Sequence, residues 1–71
     1  MSQEVVSDLV ANVIGISVSV GDQVEAGDEV ALLESMKMEI PVLAEAPGRV
    51  TAVKVVVGDV VQEGDVLAVI D

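Results

Sequence analysis

The chain has 71 residues, with 13 acidic against three basic ones for a net charge of -10, and it lacks Cys, His, Phe, Tyr and Trp altogether. That length makes one domain, 1–71, which buries only about 60% of the surface its unfolded form exposes, so its core must be simple. The charge argues against nucleic acid or an anionic membrane as partner, and without His or Cys there is no thiolate metal site, no disulfide framework and no nucleophile–base pair of the usual kind.

Val occurs 18 times and Ile four times, and such β-branched side chains suit a pleated surface better than a helix. In chain order, strands are predicted near 3–9, 12–19, 23–25, 29–35, 38–45, 49–56, 60–62 and 66–70. The second rests on the alternation Ile16-Ser17-Val18-Ser19-Val20. Gly21-Asp22, Gly27-Asp28, Gly58-Asp59 and Gly64-Asp65 mark turns, and Pro47-Gly48 is a further break. The fold class expected is all-β, two small four-stranded sheets facing each other or a flattened barrel. One segment does not predict itself: between Leu33 and Pro41 no Gly, Asn, Asp or Pro announces a hairpin, and local chemistry alone would let 30–44 run as one strand. Pro41, lacking an N–H, belongs on an edge strand or near a strand start.

A repeat resolves that ambiguity. Shifted by 37 residues, Val20-Gly21-Asp22-Gln23-Val24 falls on Val57-Gly58-Asp59-Val60-Val61, and Val5, Asp8, Val13, Val18 and Ala31 fall on Val42, Glu45, Val50, Val55 and Ala68. Halves 1–34 and 38–71 are equal in length, and 11 of their 34 pairs are identical. An approximate two-fold axis relating the halves would turn the chain around residues 35–38, bring Met1 near Asp71, and leave Lys37 at the far end from the termini. Lys54 and Arg49 read as solvated surface. The opening Met1-Ser2-Gln3-Glu4 has no basic stretch leading into an apolar run, and the longest apolar run, Val66 to Ile70, is far short of a membrane span. The expectation is a free-standing cytoplasmic domain, a monomer in isolation.

At the joint stands Glu34-Ser35-Met36-Lys37-Met38-Glu39. This segment resembles the attachment motif of the biotin carboxyl carrier family, whose core is Met-Lys-Met preceded by Glu-Ala or Glu-Ser. The likeness extends over the whole chain, through the two Gly-Asp-x-Val segments and the Pro-Gly about ten residues after the lysine. It implies the biotinyl/lipoyl fold, a hybrid of barrel and sandwich. Further, it implies that Lys37 carries covalent biotin, with Glu34, Ser35, Met36 and Met38 helping enzymes recognise and present it. By the same resemblance, a biotin protein ligase loads the lysine, and the carrier shuttles a carboxyl group from biotin carboxylase to carboxyltransferase without being an enzyme itself. Lipoyl carriers typically have Asp-Lys-Ala or Asp-Lys-Val here, so the flanking Met residues favour biotin, while lipoate stays open. An unmodified β scaffold is the third reading, and it has no need of the Met-Lys-Met triplet. The four Gly-Asp pairs lack the ligand alternation of a calcium loop, so no metal is expected.

Overall fold

A computed structural model describes residues 2–71. All eight expected strands form: β1 (Gln3–Val6), β2 (Ala11–Ile16), β3 (Gln23–Val24), β4 (Glu29–Ser35), β5 (Met38–Leu43), β6 (Gly48–Val53), β7 (Val60–Val61) and β8 (Val66–Ile70). They make two antiparallel four-stranded sheets, ordered β1-β8-β6-β3 and β5-β4-β2-β7. A shift of 37 residues carries β2 onto β6 and β3 onto β7 residue for residue, and exchanges the two sheet orders. The duplication legible in the sequence is therefore a two-fold relation in space.

Several strands are shorter than the alternation implied. β2 ends at Ile16 rather than running to residue 19, although Val18 is buried between exposed Ser17 and Ser19. The reason is topological: the Ser17 N–H still donates to the Val30 carbonyl, and the chain then crosses to the other sheet, where the Gly21 N–H donates to Val50. Burial keeps its period of two while ladder pairing is lost. The mate segment does the same, with the Lys54 N–H donating to Leu67 just after β6 and Gly58 to Val13. Likewise β1 stops at Val6 and β5 at Leu43, where Ser7 and Ala44 pass from ladder pairing to bonds with turns.

Each Gly-Asp turn grips one buried residue by two backbone hydrogen bonds. The Gly21 N–H donates to the Val50 carbonyl at 2.8 Å while the Val50 N–H donates to the Asp22 carbonyl at 2.9 Å. Gly58-Asp59 grips Val13, Gly27-Asp28 grips Ala44 and Gly64-Asp65 grips Ser7 in the same way. The aspartate side chain closes the turn itself, as where the Asp22 carboxylate accepts from the Ser19 N–H and that of Asp59 from the Val56 N–H. These turns need Gly because φ is positive, 98° at Gly21 and 102° at Gly58.

The interior is two apolar clusters that the two-fold axis exchanges. One centres on Val5, Val24, Val50 and Ile70, the other on Val13, Leu33, Val61 and Leu67, and half-buried Val42 touches both. Ser7, whose mate is Ala44, is the buried polar side chain, and its hydroxyl donates to the Leu9 carbonyl at 2.6 Å. Pro41 sits on the edge strand β5 opposite Leu32, where its missing N–H costs no ladder bond on the open side.

The Ser2 hydroxyl bonds the Asp71 carboxylate at 2.7 Å, at the place the two-fold relation exchanges with the 35–38 joint, in a body with a long axis of 32 Å. The expected approach of Met1 to Asp71 falls outside the described residues. The symmetry is broken at Gly48, the mate of Ala11. A Cβ on Gly48 would lie 2.6 Å from the Asp71 carbonyl oxygen and 2.7 Å from Ile70 Cγ2, so here the chain packs against itself more closely than at the lysine end. Gly48→Ala should cost about 1–3 kcal/mol of stability through overpacking. Urea unfolding of the purified variant, with the midpoint shifted and the slope unchanged, checks this.

Candidate functional site

β4 and β5 form the hairpin that carries the Met-Lys-Met segment. Their ladder runs Leu33↔Ile40, Glu34↔Glu39, Ser35↔Met38, leaving Met36 and Lys37 as a two-residue turn. Both have left-handed φ, 53° and 66°. Positive φ at both central residues is the signature of a type I′ turn, whose twist matches that of the flanking strands. Such turns favour Asn and Gly, and a Met-Lys pair forced into this region carries backbone strain of order 1 kcal/mol or more per residue. The strain is tolerated because the strands below are over-determined: Leu33 is fully buried, and β4 is paired on both sides, with β5 and with β2. That is why 30–44 does not run on as one strand.

The turn projects beyond the core. Ser35 and Met38 share the inward parity of Leu33 and Ile40, but the interior stops short of them. Met36 is 91% exposed and Met38 64%, so two flexible thioether side chains flank the lysine in solvent as a soft contact surface. Lys37 is exposed, and none of the side-chain hydrogen bonds among the described residues uses its amine. On the opposite parity Glu34 faces Glu39 directly. Like charges opposed across a ladder are unfavourable, and exposure to water weakens the repulsion here. The hairpin thus brings together all five residues singled out in the sequence, Glu34, Ser35, Met36, Lys37 and Met38. Arg49 and Lys54 are exposed on and just after β6.

Two surface clefts, of about 220 and 300 Å³, lie along the seam between edge strands β1 and β5 and around residues 17–29, and neither includes a residue from 34 to 39. Among the described residues no three carboxylates gather as metal ligands. What the site offers is therefore one unencumbered primary amine on a rigid tip. It suits covalent attachment of an acyl group through an amide, on a tip whose residues Met36, Lys37 and Met38 are all exposed. Asn12 and Val60, which the sequence reading did not single out, lie in the same row as the hairpin base: Val60↔Asn12↔Glu34↔Glu39. The signal that could have found Val60 was the repeat, where an exposed Val stands against Gln23.

An all-β body with internal two-fold symmetry, carrying one exposed lysine on a strained turn, has the architecture of an attachment domain. The chain belongs to the biotin/lipoyl attachment family: the family model described as biotin-requiring enzyme matches residues 3–70. It is 56% identical over 51 residues to the biotinylated protein TB7.3 homolog of Mycobacterium leprae, a match covering 72% of each chain. To the biotinylated protein TB7.3 of Mycobacterium tuberculosis it is 59% identical over 44 residues, 62% of each. In structure it resembles part of the urea carboxylase of Kluyveromyces lactis, with a TM-score of 0.94 and 37% identity, over all of this chain but 6% of that one. A single-chain, multi-domain long-chain acyl-CoA carboxylase matches with a TM-score of 0.90 and 31% identity, over 96% of this chain and 7% of that one. The chain therefore spans less than a tenth of the length of those carboxylases.

Replacing Met36 by Asn, which tolerates left-handed φ, should raise stability by about 0.5–1 kcal/mol. A rise in the urea midpoint of Met36→Asn, with no rise for Met38→Asn, would show that the turn and not the methionine side chain carries the strain.

Proposed function

We propose that Lys37 is the residue of this chain that is covalently biotinylated, and that the domain serves as the mobile carrier of a biotin-dependent carboxylase. The observation that carries this reading is the exposed Lys37 amine at the apex of a two-residue left-handed turn between exposed Met36 and Met38. The relatives named as biotinylated proteins and the likeness to domains within two carboxylases support it.

Loading requires the amine to attack an activated acyl carbon, form an amide and give up a proton as the activating group leaves. The nitrogen must lose its proton to form the amide, and no His or Cys in this chain is at hand to take it. A separate biotin protein ligase must therefore supply both the activated acyl group and the base. Once bound, biotin offers a ring nitrogen that accepts and releases a carboxyl group. The chain's own work is mechanical and electrostatic. β4 and β5 hold the attachment atom at a fixed point on a stiff body, and the opposed Glu34 and Glu39 keep the base of the turn acidic. Tethering replaces free diffusion by a high local concentration at each partner site in turn.

The two carboxylases that resemble this chain are named for different acceptors, urea and an acyl-CoA. In our reading the acceptor is accordingly chosen by the partner carboxyltransferase, not by the carrier. The net charge of -10 steers the domain toward basic rims on biotin carboxylase and carboxyltransferase. One relative is named for both groups, the biotin/lipoyl attachment protein of Bacillus subtilis, 54% identical over 42 residues, so lipoate is the specific competitor.

Incubation with biotin, ATP and a biotin protein ligase should add one biotinyl group by intact mass, on the tryptic peptide containing Lys37. Lys37→Arg should abolish the addition and Lys54→Arg leave it unchanged. A mass gain only with lipoate and a lipoyl ligase would transfer the role to the second group. In the loaded protein, the second-order rate of carboxylation by biotin carboxylase should fall severalfold as ionic strength rises from about 0.01 to 0.15 M, because exposed charges are screened over that range.

A further inference from the structure

The internal two-fold relation supplies a built-in control for the surface: outside the joint at residues 35–38, each exposed position has a mate 37 residues away in the other half. Four exposed apolar residues on and beside β2 and β7 break that equivalence. Val10, Ile14, Val56 and Val60 are 57%, 36%, 64% and 63% exposed, whereas their mates, also exposed, are Pro47, Thr51, Ser19 and Gln23. At Ile14, Val56 and Val60 folding does not require an apolar side chain, since the mates Thr51, Ser19 and Gln23 are polar.

The four lie together and beside the lysine. Val60 pairs with Asn12, and Val10 and Ile14 flank Asn12 on the same outward parity of the chain. The 56–59 turn is held against this strand by the Gly58 N–H donating to the Val13 carbonyl at 2.8 Å. From Val60 across Asn12 to Glu34 is two strand spacings, about 10 Å, and one pair beyond Glu34↔Glu39 the Lys37 turn begins. A standard protein interface covers about 800 Å² per partner, roughly 30 Å across, so an enzyme seated on Lys37 also covers this face.

Resting on the reading of Lys37 given above, we infer that the outward face of β2 and β7 is the docking surface for the biotin protein ligase. The choice of occupant follows from reach and charge. Before loading, the amine extends no farther than its own side chain, so the enzyme that acylates it must bring its surface against the neighbouring sheet. After loading the arm is longer, and a carboxylase active site can be reached from farther off. Exposed Glu34, Glu39 and Glu63 border the face, against two cations, Lys37 on the hairpin and exposed Lys54 two residues before Val56. The complementary surface is an apolar patch rimmed by Lys or Arg.

The test swaps mates. Ile14→Thr, Val56→Ser and Val60→Gln are combined to give the lysine side the residues of the opposite side, and Ser19→Val, Gln23→Val and Thr51→Ile are combined as the reverse control. In steady-state biotinylation by the ligase, the first variant should show a carrier KM at least tenfold higher with kcat unchanged, and the control a KM within twofold of the parent. Val60→Glu alone, at a site already 63% exposed, should raise KM at least fivefold and removes dependence on the combined variant's folding. An unchanged KM in both altered faces, an equal loss in the control, or a defect confined to later carboxylation would overturn the inference while leaving Lys37 as the attachment residue. Failure of the parent chain itself to accept biotin would overturn that assignment first, and the docking surface with it.

Discussion

Backbone hydrogen bonds that reach from a turn in one half of the sequence to the other half knit each of this molecule's two sheets together. A core of Val, Ile, Leu and Ala with no aromatic side chain supplies little bulk to fix how two sheets lie against each other. The four Gly-Asp turns stand where the chain passes from one sheet to the other, and each pins that crossing by gripping one buried residue, Ser7, Val13, Ala44 or Val50, through both its N–H and its carbonyl. Because each grip spans the joint at residues 35–37, neither half can form its share of the sheets alone. The two-fold relation is thus a condition of the fold rather than an ornament of the sequence.

That condition also sets the geometry of the hairpin. With β4 pinned between β5 and β2 and Leu33 sealed in the interior, the chain has two residues in which to reverse. Met36 and Lys37 take the left-handed conformation because the strands leave no alternative. A lysine so placed has its Cα fixed while its side chain remains free, which is what a tether needs: a firm root and a loose end. Strain is stored at the turn that carries the lysine and is offset by pairing and burial elsewhere.

Much of this was legible in the residues. All eight strands, the four Gly-Asp turns and the edge position of Pro41 follow from alternation, glycine spacing and the missing proline N–H. The repeat located the reversal at 35–38 even though nothing local announced it. Two things were not legible. The left-handed pair at Met36 and Lys37 contradicts the preferences of both residues and comes from tertiary pairing alone. The early ends of β2 and β6, at Ile16 and Val53, were hidden because burial alternation continues through Ser17–Ser19 and beyond Val53 while the backbone changes sheet. Period-two burial reports which side is covered, not which strand is bonded. For the site, the ESMKME segment gave the lysine and its four neighbours, whereas Val60 and Asn12 join them only through the pairing of β7 and β2.

The hydrogen bond from Ser2 to Asp71 has an architectural corollary. A peptide splice at residue 2 or residue 71 enters at one pole and disturbs nothing at the other, so the unit can be grafted into a longer polypeptide as a pendant without reshaping its working tip. The same outline recurs within a far longer polypeptide, as 6% of a urea carboxylase chain.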